Sequence, residues 1–348
     1  MRVAVCSPEA DATLIREGAT GISRMIKTLT PLLHENCVKL SYIGNKHLIR
    51  RPRLSLIPYW NNIAGKEWLE LDILWLHDGF PTTKPKKPAI ITYHTPPMEV
   101  YSKITGLAPH QLLHYKLCNI TEKKIIKTVL NKNNRVTVTG VSPYIVERFK
   151  EAGTEDVRYI PNAPSIKPAS ISLKEARRIL NERYEIPEEG VFFLSIGRND
   201  PLKNYRGLLR LWHLLKRRIP EAVLILAGRG TEKIRGPGVY GLGLKGEELP
   251  ILYRACDAYV SLSLVEGMSL SLLDAINHEM KIILADVEPN SWLRDKDILL
   301  ININNIGVDE VDRVIDYVGS SRRPRWKGPD WRRIAEMYKE LFEEASQR

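Results

Sequence analysis

Short apolar runs alternate with helix-period segments from one end of this chain to the other, which restricts the fold to strand–helix–strand units with parallel sheets. In the first half, residues 2–6, 39–43, 72–76, 89–93, 136–141 and 157–160 read as strands, and 20–35, 108–131 and 143–152 as helices. The stretch Pro161-Asn162-Ala163-Pro164, followed by Pro168, reads as a linker. A second series follows, with strands at 191–197, 222–228, 257–263 and 281–285 and helices at 204–218, 246–255 and 269–278. Helices near 308–318 and 330–345 end it. A length of 348 residues holds two domains of ordinary size, so the spacing predicts an α/β protein of two Rossmann-like domains facing a cleft, with boundaries at 1–165 and 166–328.

Composition narrows the function. A chain with 43% hydrophobic and 27% charged residues buries a core and is neither disordered nor fibrous. MRVAVC is followed at once by Ser7-Pro8-Glu9 and reads as a first strand, not a signal peptide. No apolar run approaches the roughly 18 residues of a membrane span. Cys6, Cys37, Cys118 and Cys256 lack metal-ligand spacing and read as free thiols of a reducing, cytoplasmic compartment. Charge is unevenly divided. Residues 1–174 hold 25 Lys+Arg against 14 Asp+Glu, whereas residues 175–348 hold 27 of each. The excess clusters at Lys46-His47 with Arg50, Arg51 and Arg53, at Lys84 with Lys86 and Lys87, and at Lys116, Lys123, Lys124, Lys127 and Lys132. Such asymmetry implies an anionic partner (lipid head groups, nucleic acid or an acidic acceptor) or else a merely solvated basic surface. No GxGxxG follows a strand, the nearest glycine-rich stretch being Gly228-Arg229-Gly230, and P-loop, GxSxG and HExxH patterns are missing. Nicotinamide dehydrogenases, P-loop ATPases, serine hydrolases of the elbow type and zincins are therefore disfavoured.

The chemistry-bearing residues sit at strand ends. Glu266 and Asp274 lie eight positions apart across the passage from a strand to a helix. Glu266 falls at the carboxyl end of the strand, and the free N–H groups from Gly267 through Met268 and Ser269 to Leu270 can meet phosphate or sugar oxygens. The plain alternative is two acids that only complement the helix dipole. Arg198 and Lys203, five residues apart across a second strand-to-helix loop, suit a diphosphate by combining a planar fork with a point charge.

The segments FLSIGRNDPLKNYRGLLRLWHLLKRRIPEAVLILAGRG, LGLKGEELPILYRACDAYVSLS and VEGMSLSLLDAI resemble, in order, the nucleotide-binding half of retaining family 4 glycosyltransferases of GT-B fold. EGATGISRMIKTLTPLLHE, LDILWLHDG, AIITYHTPP and VSPYIVERFKEAG are similar to that family's first half, and PDWRRIAEMYKELFEEA resembles its last helix. The resemblance covers nearly the whole chain. It implies a retaining, metal-independent hexosyltransferase with a nucleotide-diphosphate sugar (UDP- or GDP-linked) as donor substrate and no cofactor. The helix in 329–348 would cross back to the first domain. Arg198 and Lys203 would neutralise the donor diphosphate. Glu266 would lie by the transferred sugar, with the amides of Gly267, Met268, Ser269 and Leu270 beside it, and Asp274 would hold the ribose. His94 would contact donor or acceptor, Gly18 or Gly21 would admit a close approach, and Asn162 would lie near the crevice. His77 reads equally as a structural strand end.

The sequence departs from the family at Met268-Ser269, at Glu279-Met280-Lys281 in place of a Gly-x-Pro turn, and near 286–292, where a glycine-rich loop is missing. The basic first half makes a lipid-linked saccharide or an anionic membrane surface the expected acceptor side, with peripheral attachment and no nucleic acid. The alternatives are a GT-B-like binding protein that has lost turnover, a nucleic-acid-associated basic protein, and a sugar-nucleotide epimerase.

Overall fold

The computed structural model describes residues 1–6, 21–43, 48–49, 59–60, 71–78, 80–81, 85, 87–104, 107–130, 135–243, 246–294 and 296–348. The chain divides into two compact units, Met1–Ala163 together with Gly328–Arg348, and Pro164–Lys327. These limits differ slightly from the expected 165/166 and 328/329.

In the first unit the strands are β1 (Arg2–Cys6), β2 (Lys39–Ile43), β3 (Leu48–Ile49), β4 (Tyr59–Trp60), β5 (Ile73–His77), β6 (Phe80–Pro81), β7 (Ala89–Tyr93), β8 (Val136–Gly140) and β9 (Val157–Tyr159). Six of them form one parallel sheet in the order β2-β1-β5-β7-β8-β9, and β3, β4 and β6 make a small separate sheet. Every residue of β5, β7 and β8 is buried, as befits strands covered on both faces. Helices are α1 (Gly21–Glu35), α2 (Met98–Ser102), α3 (Pro109–Ile125) and α4 (Pro143–Glu151), with α3 prolonged by a π turn at Ile126–Leu130. The chain's last helix, Trp331–Ser346, lies on this sheet. Its Ile334, Tyr338, Leu341 and Phe342 recur at helical spacing and are buried. The Tyr338 and Phe342 rings lie 4.6 and 5.3 Å from Trp75 of β5.

The second unit runs β10 (Phe192–Ile196), β11 (Val223–Ala227), β12 (Arg235–Gly236), β13 (Val239–Leu242), β14 (Ala258–Ser261), β15 (Lys281–Ala285) and β16 (Leu299–Ile301). Their order is β12-β13-β11-β10-β14-β15-β16, parallel except for the β12–β13 hairpin. Helices α5 (Leu173–Tyr184), α6 (Tyr205–Arg218), α7 (Leu249–Ala255), α8 (Leu270–Asn277) and α9 (Val308–Gly319) cover it, and the last helix is numbered α10. Alternate residues of each strand enter opposite cores. Phe192, Leu194, Ile225 and Leu284 pack with α5, α7 and α8, and Phe193, Leu224, Leu226 and Ile283 pack with α6 and α9. Not expected from sequence were α2, α5, the small sheet of β3, β4 and β6, the β12–β13 hairpin and β16.

Candidate active site

Open parallel sheets bind ligands beyond the carboxyl ends of their strands, where strand order reverses. In the second unit the chain steps from β10 out to β11 and β13, then returns to β14 on the other side of β10. The reversal therefore lies between β10 and β14, and two loops leave there, 197–204 and 262–269. Arg198, Lys203, Glu266, Gly267, Met268 and Ser269 all lie on these loops, and Leu270 is the first residue of α8.

The first loop is built by short polar side chains. Asp200 caps the turn Pro201–Lys203 by accepting the Leu202 N–H at 2.9 Å. Asn204 takes left-handed backbone (φ 50°), which asparagine tolerates, and its Oδ1 accepts the Gly207 N–H at 3.1 Å to start α6. Lys203 is folded back over Gly197, where a Cβ would come within 3.1 Å of the lysine Cε. The two loops are joined by backbone: the Leu264 N–H donates to the Leu202 carbonyl at 2.8 Å. Across this join Lys203 Nζ donates to Glu266 Oε1, with both side chains about a quarter exposed (27% and 22%). Two residues singled out from separate motifs thus form one ion pair.

Around the pair the surface offers donors. Arg198 is exposed and makes no ion pair among the described residues. Ser269, at the N-cap of α8, accepts no amide with its side chain, so its hydroxyl leaves the first-turn N–H groups unspent. Gly267, Met268 and Leu270 are buried. Burial, with the charge of Glu266 adding to it, holds the Tyr205 and Tyr259 phenols protonated well above their ordinary range. Tyr259, Ser261, Glu266, Gly267, Ser269, Asn290 and Trp292 line a small pocket beside the pair. The Trp292 Nε1–H is buried there with no partner among the described residues. Sequence reasoning missed Trp292, although the turn Glu288–Leu293 that carries it occupies the place of the absent glycine-rich loop.

Asp274 stands apart from the role expected of it. It is fully buried, and its Oδ1 accepts the backbone N–H groups of Ser165 and Ile166 at 2.6 and 2.9 Å. The Ser165 hydroxyl adds longer contacts of 3.4 Å to both oxygens. A carboxylate so engaged is a strut between α8 and the chain at 165–166, and it does not line the pocket that holds Glu266. The turn after α8 keeps its shape despite lacking glycine. Glu279 adopts left-handed backbone (φ 55°), while the Glu279 and Met280 N–H groups donate to Ile276 and Ala275 carbonyls at 3.0 and 3.1 Å, closing a Schellman motif.

In the first unit His94 follows β7 and His77 ends β5, on adjacent strands. His77 Nδ1 and His94 Nε2 are 2.9 Å apart, in rings stacked 5.2 Å centre to centre. Burial keeps both imidazoles neutral: it lowers His94 to about 3, and His77 is pushed well below its usual range with His94 contributing. One nitrogen of the pair must donate and the other accept. His77 Nε2 is buried with no hydrogen-bond partner among the described residues, and a bare acceptor is less costly there than a bare N–H. The proton of His77 therefore belongs on Nδ1, and that of His94 on its own Nδ1. The His94 backbone N–H donates to Asp78 Oδ1 at 2.7 Å, which fixes the strand end. Gly21 begins α1, exposed, and a Cβ there would meet nothing within 4 Å, so packing does not demand a glycine. Gly18 lies outside the described residues, as do Lys46, His47, Arg50, Arg51, Arg53, Lys84, Lys86 and Lys132 of the basic clusters.

Comparison with known proteins fits this geometry. Residues 176–293 match the family model described as Glycosyl transferases group 1 and so form a domain of that kind. The chain is 32% identical over 145 residues to the O-antigen chain mannosyltransferase B of Escherichia coli, a match spanning 37% of this chain and 34%, about a third, of that protein. Among solved structures, sucrose-phosphate synthase from Thermosynechococcus elongatus shares 16% identity with a TM-score of 0.65, covering 99% of this chain and 98% of that one. WaaG, a glycosyltransferase involved in lipopolysaccharide biosynthesis, shares 12% with a TM-score of 0.62 and coverage of 99% and 98%. The fold is that of the GT-B glycosyltransferases, as the sequence led one to expect.

Proposed function

We propose that the protein is a retaining glycosyltransferase that moves a hexosyl group from a nucleotide-diphosphate sugar to a saccharide acceptor at a membrane surface, without need of a metal. One observation carries the reading. The Lys203–Glu266 pair, the exposed Arg198 and the first-turn amides of α8 meet at the strand-order reversal of the second unit. Charge developing on a departing nucleoside diphosphate is stabilised by donors already in place, and here these are a guanidinium, an ammonium and backbone N–H groups. Lys203 Nζ carries three donors, of which Glu266 takes one, so phosphate oxygens can share it. Glu266, acceptor-only, orients a sugar hydroxyl. Its remaining oxygen and the Trp292 N–H would frame the sugar from two sides. His94, neutral, acts as a hydrogen-bond donor through Nδ1 and not as a base.

The excess of base in residues 1–174 supports an anionic surface as the acceptor side. The similarity to an O-antigen mannosyltransferase favours mannose as the first sugar to try. Unbridged Cys6, Cys37, Cys118 and Cys256 favour a reducing compartment. No helix among the described residues is long and apolar enough to cross a membrane, so attachment at the surface is the matching form of contact. The test is a panel of UDP-, GDP- and ADP-sugars, mannose included, read by thermal shift and by nucleotide release with and without saccharide acceptors. A donor that raises the melting temperature and is turned over is the expected result. Binding without release in every case would reduce the protein to a sugar-nucleotide-binding module, and no shift with any donor would end the reading.

A further inference from the structure

Helix α3 displays three large apolar side chains to solvent: Leu113 is 60% exposed, Leu117 41% and Ile120 66%. Only six large hydrophobics are exposed among the described residues, so half of them sit on this one helix. Their spacing, four residues and then three, puts them on a single stripe. At about 100° per residue, Lys116, Lys124 and Lys127 project from the same side of the helix and its π-turn extension, exposed and without an ion pair among the described residues. Lys123 borders the stripe and is held by Glu99 at 3.3 Å.

The opposite face anchors the helix. Tyr115, Cys118, Glu122 and Ile125 are buried, with Tyr115 against Tyr101 at 5.2 Å and Glu122 accepting the Met98 N–H at 2.6 Å. Glu122 is the only carboxylate of the helix, and burial lifts it to about 8, so it is largely uncharged at neutral pH. The outward face of the helix thus combines apolar groups and cations with no acid of its own, the carboxylate beside it being Glu99, which holds Lys123.

That combination selects its occupant. A nucleic acid would use the lysines but leave the leucines and isoleucine in water, and the stripe holds no aromatic for a base to stack on. A second copy packed symmetrically would set lysines against lysines. An anionic lipid surface uses both, with the apolar side chains entering the head-group boundary and the lysines snorkelling to phosphates. We propose that α3, with its π-turn extension, lies in the plane of an anionic membrane and docks the first unit there through Leu113, Leu117, Ile120 and the lysines Lys116, Lys124 and Lys127. The proposal rests on the reading of a membrane-surface acceptor and names the contact.

Sedimentation of the full chain with lipid vesicles tests it, since no turnover is needed. Vesicles of phosphatidylcholine with about 30% phosphatidylserine are expected to carry the protein down at low salt, whereas phosphatidylcholine alone is not. Leu113→Ser with Ile120→Ser is expected to lower the partition coefficient at least about tenfold. Each Lys→Gln change at 116, 124 or 127 should lower it about fivefold, an effect that salt erases. Unchanged melting temperature and circular dichroism identify these variants as folded. Equal pelleting of parent and serine variant would overturn the proposal. So would absence of binding to anionic vesicles, whether accompanied by salt-dependent binding to duplex DNA or by a concentration-dependent dimer that the serine change abolishes. Vesicle binding without nucleotide-sugar turnover would keep this inference and end the transfer reading. Turnover without vesicle binding would do the reverse.

Discussion

The two units place their candidate residues alike, at the carboxyl ends of parallel strands, but equip them differently. In the second unit the β10 and β14 loops bring an ammonium, a carboxylate and a guanidinium to a partly exposed site. In the first, the ends of β5 and β7 carry two imidazoles that burial keeps neutral. A site that meets a leaving diphosphate needs formal charge, and enough water to keep that charge ionised before the ligand arrives. A site that orients a hydroxyl needs only a dipole of fixed direction, and burial with a mutual hydrogen bond supplies one. Under the proposed function, similar sheet architecture is thus used once for charge and once for direction.

The comparison is broken most forcefully at Lys203. Lys203→Ala should lower kcat/KM for donor by roughly 10²–10³, the usual scale for removing a preorganised donor, as read by nucleotide release. Undiminished kinetics would remove the diphosphate from this loop. Asp274→Ala comes next, and its effect belongs to stability. Leaving the Ser165 and Ile166 amides bare should cost about 3 kcal/mol in urea unfolding, with donor KM little changed in the folded protein. A raised KM at unchanged stability would return Asp274 to the ribose.

His77 sharpens the other side of the comparison. His77→Phe removes the Nδ1 donor and should cost about tenfold in kcat/KM, while His77→Asn, whose amide nitrogen falls near Nδ1, should restore most of it. Nitrogen-15 NMR of the ring should show both histidines as Nδ1–H tautomers in the parent, and an Nε2–H form of His94 would contradict the assignment. The pair also predicts a pH dependence. Both folded pKa values lie below the unfolded value of about 6.5, so the unfolded chain takes up protons first as pH falls. Stability should therefore be fully present above about 6.5 and decline as pH drops from there toward 3, and His94→Gln should flatten that slope. The smallest effect concerns Glu279. Glu279→Gly relieves a left-handed side-chain-bearing residue and should raise the melting free energy by about 0.5–1 kcal/mol without touching the donor site.

Strands buried on both faces are continuous apolar runs, which is why ten of the thirteen strands of the two main sheets were legible from residue types alone. What stayed hidden had weak apolar signal. In α5 only Ala176 and Leu180 are buried among charged neighbours, and its start is marked by Ser172, whose hydroxyl accepts the Glu175 N–H at 3.0 Å. The Ser-x-x-Glu spacing there is a start signal that hydrophobic periodicity cannot register. The β12–β13 hairpin turns on Pro237-Gly238 with strands too short for alternation to show. At the candidate site, the position of residues on strand-end loops was legible because topology dictates where such loops go. Asp274 was not, because spacing along a helix gives the face but not which neighbour that face meets. The pairing of His77 with His94, and the unpartnered Trp292 N–H, arise only when distant segments are brought together.

The bond from the Leu264 amide to the Leu202 carbonyl makes the two loops of the second unit a single part. Their mutual order is set when the chain folds, so under the proposed function little of a donor's binding free energy would go into arranging them, and more would remain for distinguishing one sugar from another. It also means that the residues proposed to face phosphate and sugar would be inherited as a set. A change that shifts the backbone of either loop is transmitted to the other, so altering sugar preference by redesigning 262–269 alone would disturb the grip on the diphosphate as well.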